Sequence, residues 1–393
     1  MRFRITLVAL LVAAVGLGAG LGKVAAQPQP SAVCLYFDQT GRGDLSFNDM
    51  AALGAERAVA EFGLQLKEAT AKGPADYLPD LLAFARSGEC ALIIGVGFLL
   101  AADLPEAARQ APQQRFAFID GSSGGIPNIL GLLFKEEQGG APAGALAALT
   151  AIADGAKAVG FVAGMEIPPV WRYEAGYRWG VYWGLDWYKE RFGKDVKLQI
   201  LGTYVGRFDD PAGGKVAAAT QIRQGADVIL GIAGATHLGV FDAAEEAGRA
   251  AGREFGPPYG LGADAAQEWI KPGFILASAR KRVDEGAYIA IKQVVEGTFQ
   301  GGRDLLLGIA DLGVGISTVK DILDFIDIAI AAGALAPAER EATFNKIMAM
   351  RSAVPYWVWE GTLELQSKII SGAALPPSPS TFEEIQAIRQ QYP

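Results

Sequence analysis

The chain has 393 residues, is 51% hydrophobic and carries a formal net charge of -8, enough apolar content for two good cores. No basic run and no alternation of aromatic and basic residues occurs, so nucleic acid has no electrostatic footprint to meet. A single histidine, His237, and two cysteines leave no multi-His or Cys-rich metal cage.

At the N-terminus Arg2 and Arg4 precede an apolar stretch from Ile5 to Gly22, and Val24-Ala25-Ala26 follows with small side chains. This reads as a secretory signal over residues 1–26, cleaved before Gln27; an uncleaved membrane anchor is the competing reading. No cysteine closely follows the apolar stretch, so a lipid attachment site is not expected and a periplasmic location is. Cys34 and Cys90 fall at the first and third expected strands, neighbours in common doubly wound sheets. An exported protein can bridge them; two separate buried thiols are the alternative.

From Val33 to about Ala153 strand and helix patterns alternate. Val33–Asp38 is an apolar strand. It leads into Gly41-Arg42-Gly43-Asp44-Leu45-Ser46-Phe47-Asn48-Asp49 and an amphipathic helix stopped by Gly63. Ser46 or Asn48 is expected to cap that helix, and Phe47 is an unusual aromatic for a helix start. Strands follow at Leu64–Glu68, Ala91–Gly95, Arg115–Ile119 and Ile129–Phe134, with helices at Tyr77–Ser87, Leu104–Gln110 and Gly139–Ala153. A second set opens with the strand Ala158–Val162 and the helix Val170–Phe192. That helix carries more aromatics than a core can absorb, so part of it should line a cleft or an interface. Strands at Val196–Tyr204, Val228–Gly231, Tyr259–Ala263 and Phe274–Ala279 alternate with helices to about Glu296. The expected fold class is α/β, two doubly wound parallel-sheet lobes. Residues 32–155 plus 280–316 form one lobe and residues 156–279 the other, with a helical extension over residues 317–393.

Gly121-Ser122-Ser123-Gly124-Gly125 matches the nucleophile-elbow pattern G-x-S-x-G, which makes a serine esterase using Ser123 a remote possibility. Ile126-Pro127-Asn128 follows in place of the helix such an elbow requires. The remaining strand-end residues are Asp38, Asp44, Ser46, Phe47, Asn48, Asp120, Phe208, Asp264 and Lys281. They combine two flat rings with acceptors and a cation, the composition of a site for a flat, polar, unphosphorylated molecule.

At these residues the chain resembles the basic membrane protein family of solute-binding proteins, the purine nucleoside receptors of ABC importers. The matching stretches include Gly43-Asp44-Leu45-Ser46-Phe47-Asn48, Phe116-Ala117-Phe118-Ile119-Asp120-Gly121, Tyr173-Glu174-Ala175-Gly176, Phe208-Asp209-Asp210-Pro211 and Lys281-Arg282-Val283-Asp284. The resemblance implies a type I periplasmic binding fold that closes around a ligand, no catalysis, no cofactor, a monomer and an ABC permease as partner. It places an aromatic clamp on Phe47 and Phe208. Contacts to base and sugar then fall on Asp38, Ser46, Asn48, Asp120, Gly234, Asp264 and Lys281. The chain departs from the family at Gly234-Ala235-Thr236-His237, which puts a bulky His237 either in the site region or on a solvent-facing helix start. It departs again at Ala266 and in added helices around Thr318–Glu360. These departures leave room for another solute, such as a flavin or an amide-like molecule, and for a sensing role in place of transport.

Overall fold

The computed structural model describes residues 32–393, so the expected signal segment lies outside the described residues. In chain order the first elements are β1 (Ala32–Phe37), α1 (Phe47–Phe62), β2 (Gln65–Thr70), α2 (Tyr77–Ser87), β3 (Cys90–Val96), α3 (Asp103–Gln110), β4 (Phe116–Ile119), β5 (Ile129–Phe134) and α4 (Glu136–Asp154). Next come β6 (Ala158–Ala163), α5 (Pro168–Phe192), β7 (Gln199–Tyr204), α6 (Pro211–Arg223), β8 (Ala226–Ile232), α7 (Leu238–Ala250), β9 (Tyr259–Asp264), β10 (Ile275–Lys281) and α8 (Val283–Val295). The chain ends with β11 (Arg303–Leu307), β12 (Val314–Ile316), α9 (Val319–Ala331), α10 (Arg340–Ala353), α11 (Tyr356–Ile370) and α12 (Phe382–Gln391).

Two six-stranded sheets result, ordered β11-β5-β4-β3-β1-β2 and β12-β10-β9-β8-β6-β7. All pairings are parallel except β10 with β12. Strands such as β1, β6 and β10 are buried along their whole length, as parallel strands covered by helices on both faces must be. Each sheet with its helices is called a lobe below.

The chain crosses between the sheets three times: between β5 and β6, between β10 and β11, and between β11 and β12. The boundary expected at 155/156 falls within the first of these crossings, whereas the one expected at 279/280 cuts through β10. Helix α4 was expected with the first lobe, yet it packs on α5 and against β8, β10 and β12 of the second. Strands β10 and β12 belong wholly to the second sheet. The alternation of apolar runs shows how many strands exist but not to which sheet the last ones return.

The α4–α5 packing is unusually close because glycines let the two backbones meet. A methyl group added at Gly144 would stand 2.0 Å from the Tyr177 carbonyl oxygen, and one at Gly180 would stand 2.0 Å from that of Ala141. Both obstacles are backbone, which cannot swing aside. Gly180→Ala is therefore expected to destabilise the protein by about 1–3 kcal/mol, although alanine is the better helix former. Urea unfolding would show this, and an unchanged midpoint would contradict the packing argument.

The aromatic excess on α5 is explained by the C-terminal helices. Trp171 meets Phe382 and packs with Ile385 and Ile388 of α12. Tyr182 meets Tyr392. Tyr188 and Phe192 gather around Trp357 of α11. Arg389 of α12 reaches the buried carboxylate of Glu174 at 2.7 Å and Glu166 at 3.0 Å. The extension thus supplies the missing cover of the second lobe. Among the described residues no helix is long and apolar enough to cross a membrane. Cys34 of β1 is disulfide-bonded to Cys90 of β3, with Cα atoms 5.7 Å apart.

Candidate functional site

Carboxyl ends of strands from both sheets face one another across a cleft, the usual ligand position in open α/β sheets. Asp38 follows β1, Gly97 follows β3 and Asp120 follows β4 in the first lobe. Phe208 follows β7, Gly234 follows β8, and Asp264 and Lys281 end β9 and β10 in the second. Together with Phe47 and Asn48 from the start of α1, these residues line a cavity of about 780 Å³, adjoining solvent included. Eight of the nine residues expected at the site are therefore neighbours in space. Ser46 is the ninth and does not line the cavity: it is fully buried, with Oγ 2.9 Å from Asp264 Oδ2 and 3.1 Å from the Ala263 carbonyl oxygen. Its role is to link the lobes behind the cavity wall.

The helix carrying Phe47 is capped differently from expectation. Ser46 occupies the N-cap position but makes no side-chain cap bond. Asp44 does this work: its carboxylate accepts from the backbone N–H groups of Ser46, Asn48 and Asp49 at 2.9–3.1 Å. Asp49 in turn accepts from the N–H groups of Gly43 and Leu45. Burial pushes the Asp44 carboxyl up to about 7 despite those bonds. Asp44 lines the cavity, but its lone pairs are largely spent on the helix start.

The polar groups of the cavity divide into satisfied and free. Lys281 is 2% exposed, and its ammonium lies 2.6 and 2.8 Å from the two carboxylate oxygens of Asp120 and 2.8 Å from Glu136 Oε1. Arg172 of α5 adds a 2.6 Å contact to Glu136 Oε2. Burial raises the Asp120 carboxyl to about 6 against the pull of Lys281. Glu136 is held below the ordinary carboxylate range because Lys281 and Arg172 together outweigh its burial. Lys281 itself is raised, since its burial is overcome by Asp120, Glu136 and Asp264. Asp38 accepts from the Thr40 N–H and hydroxyl through Oδ1 alone. Its Oδ2 faces Gly97, where an added methyl would stand 3.1 Å from it and 3.6 Å from the Phe47 ring. Asn48 donates to Thr40 Oγ1, while its buried Oδ1 has no partner. The cavity therefore offers free acceptors beside an aromatic face, with a cation already balanced by carboxylates. Asp120 and Asp264 both hold φ near +65°, a conformation costly for a residue with a Cβ and common where a site is pre-shaped.

The aromatic faces come from both sides. Phe47 sits with the Lys281 ammonium 5.0 Å from its ring centre. Phe208 presses on Gly164, where a methyl would come within 2.3 Å of its ring. The cavity also contains residues that strand-end reasoning did not single out: Thr40, Ile167, Pro169, Val170 and Tyr173. All but Thr40 come from the start of α5 or just before it, and the aromatic excess of that helix was the available signal. Tyr173 is 3% exposed and donates to the Ala279 carbonyl oxygen at 3.1 Å.

His237 takes neither expected position. It is fully buried behind the cavity, against Phe241, and burial drives its imidazole down to about 3, so it is neutral. Ser123 cannot act as an esterase nucleophile. It lies 2% exposed in the loop between β4 and β5, its N–H donating to Asp304 of β11, and no helix follows it. His237, the chain's one histidine, follows β8 in the other lobe with its Nε2 held by Gln267.

Residues 32–330 match the family described as ABC transporter substrate-binding protein PnrA-like, Bmp. The chain is 39% identical over 361 residues to an uncharacterized lipoprotein of Pyrococcus abyssi, covering 91% of this chain and 86% of that one. It is 28% identical over 305 residues to the ABC transporter nucleoside-binding protein BmpA of Lactococcus lactis, covering 72% and 82%. A crystal structure of an ABC transporter solute-binding protein from Aeropyrum pernix superposes with a TM-score of 0.84 at 38% identity, over 92% of this chain and 97% of that one. Fold, strand-end cavity and kinship agree: the chain belongs to the Bmp family of ABC transporter substrate-binding proteins, extracytoplasmic proteins that bind solutes and catalyse nothing.

Proposed function

We propose that the protein captures a purine nucleoside between its lobes and delivers it to an ABC permease. The three crossings act as the hinge. The base stacks between Phe47 and Phe208, its N–H edge meets the free acceptors of Asp38 and Asn48, and the sugar hydroxyls meet Asp120, Asp264 and Lys281. The observation that carries this reading is the pairing of one aromatic face from each lobe with unpartnered acceptors in a single cavity. The nucleoside-binding relative in Lactococcus supports the ligand class. The protein works as a monomer in the periplasm after loss of residues 1–26. The bond between Cys34 and Cys90 supports a mature protein without lipid on Cys34.

A thermal-shift screen tests the ligand class, because a ligand that binds only the folded state raises apparent stability with the logarithm of its concentration. Guanosine, adenosine and inosine are expected to raise the melting temperature. Guanosine monophosphate is expected to fail, because a phosphate would enter a cavity lined by Asp38, Asp44, Asp120 and Asp264. A shift with riboflavin and none with nucleosides would replace the ligand.

A further inference from the structure

Behind the cavity the two lobes touch through the Ser46 hydroxyl and through one amide side chain. Gln267 follows β9 in the second lobe, is fully buried and does not line the cavity. Its Oε1 accepts from the Ala263 N–H at 3.0 Å. Its Nε2 donates to the Leu45 carbonyl oxygen of the first lobe at 2.8 Å and lies 2.7 Å from His237 Nε2. Because the oxygen is committed to Ala263, both amide hydrogens are committed to Leu45 and His237. His237 must then accept at Nε2, which the neutral tautomer protonated on Nδ1 does; that tautomer gives up the longer 3.4 Å approach of the Ala233 N–H to Nδ1 in favour of the 2.7 Å contact. Leu45 holds φ at +51°, a conformation that bulky side chains avoid, and its N–H is taken by Asp49. The first lobe thus offers the Leu45 carbonyl from a turn whose shape is held by the same Asp44 and Asp49 carboxylates that start α1.

We infer that Gln267 is a positioning residue that latches the lobes shut, with its amide aimed by His237. The inference rests on the reading that solute is held by closure of the two lobes. Neither side chain reaches the cavity, so the latch changes how long the closed state lasts without touching the solute. It also gives His237 a purpose: a glycine there would leave the second amide hydrogen of Gln267 buried without an acceptor, at a cost comparable to a lost hydrogen bond. Protonated imidazole would face the amide with a donor, and burial keeps that form away.

The experiment is single-molecule fluorescence transfer between dyes placed by Arg109→Cys in the first lobe and Glu246→Cys in the second, both exposed positions. The native cysteines are bonded to each other and do not label. Gln267→Met keeps the length of the side chain and removes both donors. Its closed dwell time is expected to fall about fivefold or more, with and without guanosine, while the open dwell time stays as in the parent. Gln267→Glu, which keeps the acceptor and loses the donor, should act in the same direction and serves if the Met variant folds poorly. A merely structural role would lower the melting temperature and leave the closed dwell time unchanged, and that result overturns the latch. So does a parent protein that never visits a closed state. If guanosine fails to lengthen the closed dwell but Gln267→Met still shortens it, the ligand class is wrong and the latch stands.

Discussion

Lys281→Met is expected to cost about 3–5 kcal/mol of stability, the largest effect of any single change at the site. The ammonium is the only group that touches both Asp120 and Glu136 in the described ion pairs, at 2.6–2.8 Å, and all three side chains are at least nine-tenths buried. Removing it leaves two carboxylates in low dielectric with Arg172 as partner to Glu136 alone. The deficit must depend on pH in a definite sense. A buried carboxyl without its cation has a folded pKa raised above its unfolded value. It therefore favours the folded state only while protonated, and that contribution is lost as pH rises through the folded pKa. Asp120 already stands at about 6 with Lys281 present, and higher without it. The variant should accordingly be most deficient at pH 8 and recover part of its stability at pH 5. Urea unfolding at the two pH values checks this, and Asp120→Asn in the same chain should restore part of the loss. An equal deficit at both, or one below about 1 kcal/mol, would show that the network is not held by the lysine.

Phe208→Ala should weaken guanosine binding tenfold or more. A base stacked on an aromatic ring gains about 1–3 kcal/mol, and 1.4 kcal/mol is a factor of ten. Phe208 is only half-buried and sits on a loop after β7, so the stability of the free protein should change far less than the affinity. Phe208→Leu, which keeps apolar bulk and loses the flat face, should lie between the two. Calorimetry on the three proteins separates stacking from simple burial. Equal affinities would remove Phe208 from the clamp, and a loss shared equally by Leu and Ala would assign its contribution to the ring alone.

The strands and helices from β1 to α8 were legible to within a few residues, because fully buried parallel strands are short apolar runs with glycine-rich stops. The strands β11 and β12 were not. Arg303–Leu307 is an edge strand carrying an arginine and an aspartate, and β12 has three residues. Neither length nor pattern sets such segments apart from loop, and they decide which lobe the chain returns to. Helix α11 was also hidden: it begins Tyr-Trp-Val-Trp after a proline, a poor local start, and is held by packing on α4. Site residues at strand ends could be read because the fold dictates where ligands lie. Gln267 and the Leu45 carbonyl could not, since a contact between a side chain and a distant backbone oxygen leaves no trace in residue type. The burial of His237 was equally silent: its position at a helix start allowed the site region or solvent, and it lies instead inside, against Phe241 and the Gln267 amide.

The union of Arg389 with Glu174 joins residues 215 apart in the chain, and the surface that shields Trp171 lies on α12, Phe382–Gln391. A polypeptide emerging from the ribosome therefore cannot seal its second lobe until α12 has been made, because that cover follows both sheets in the chain. Until then the Trp171 indole and the Glu174 carboxylate lack the partners that α12 brings them.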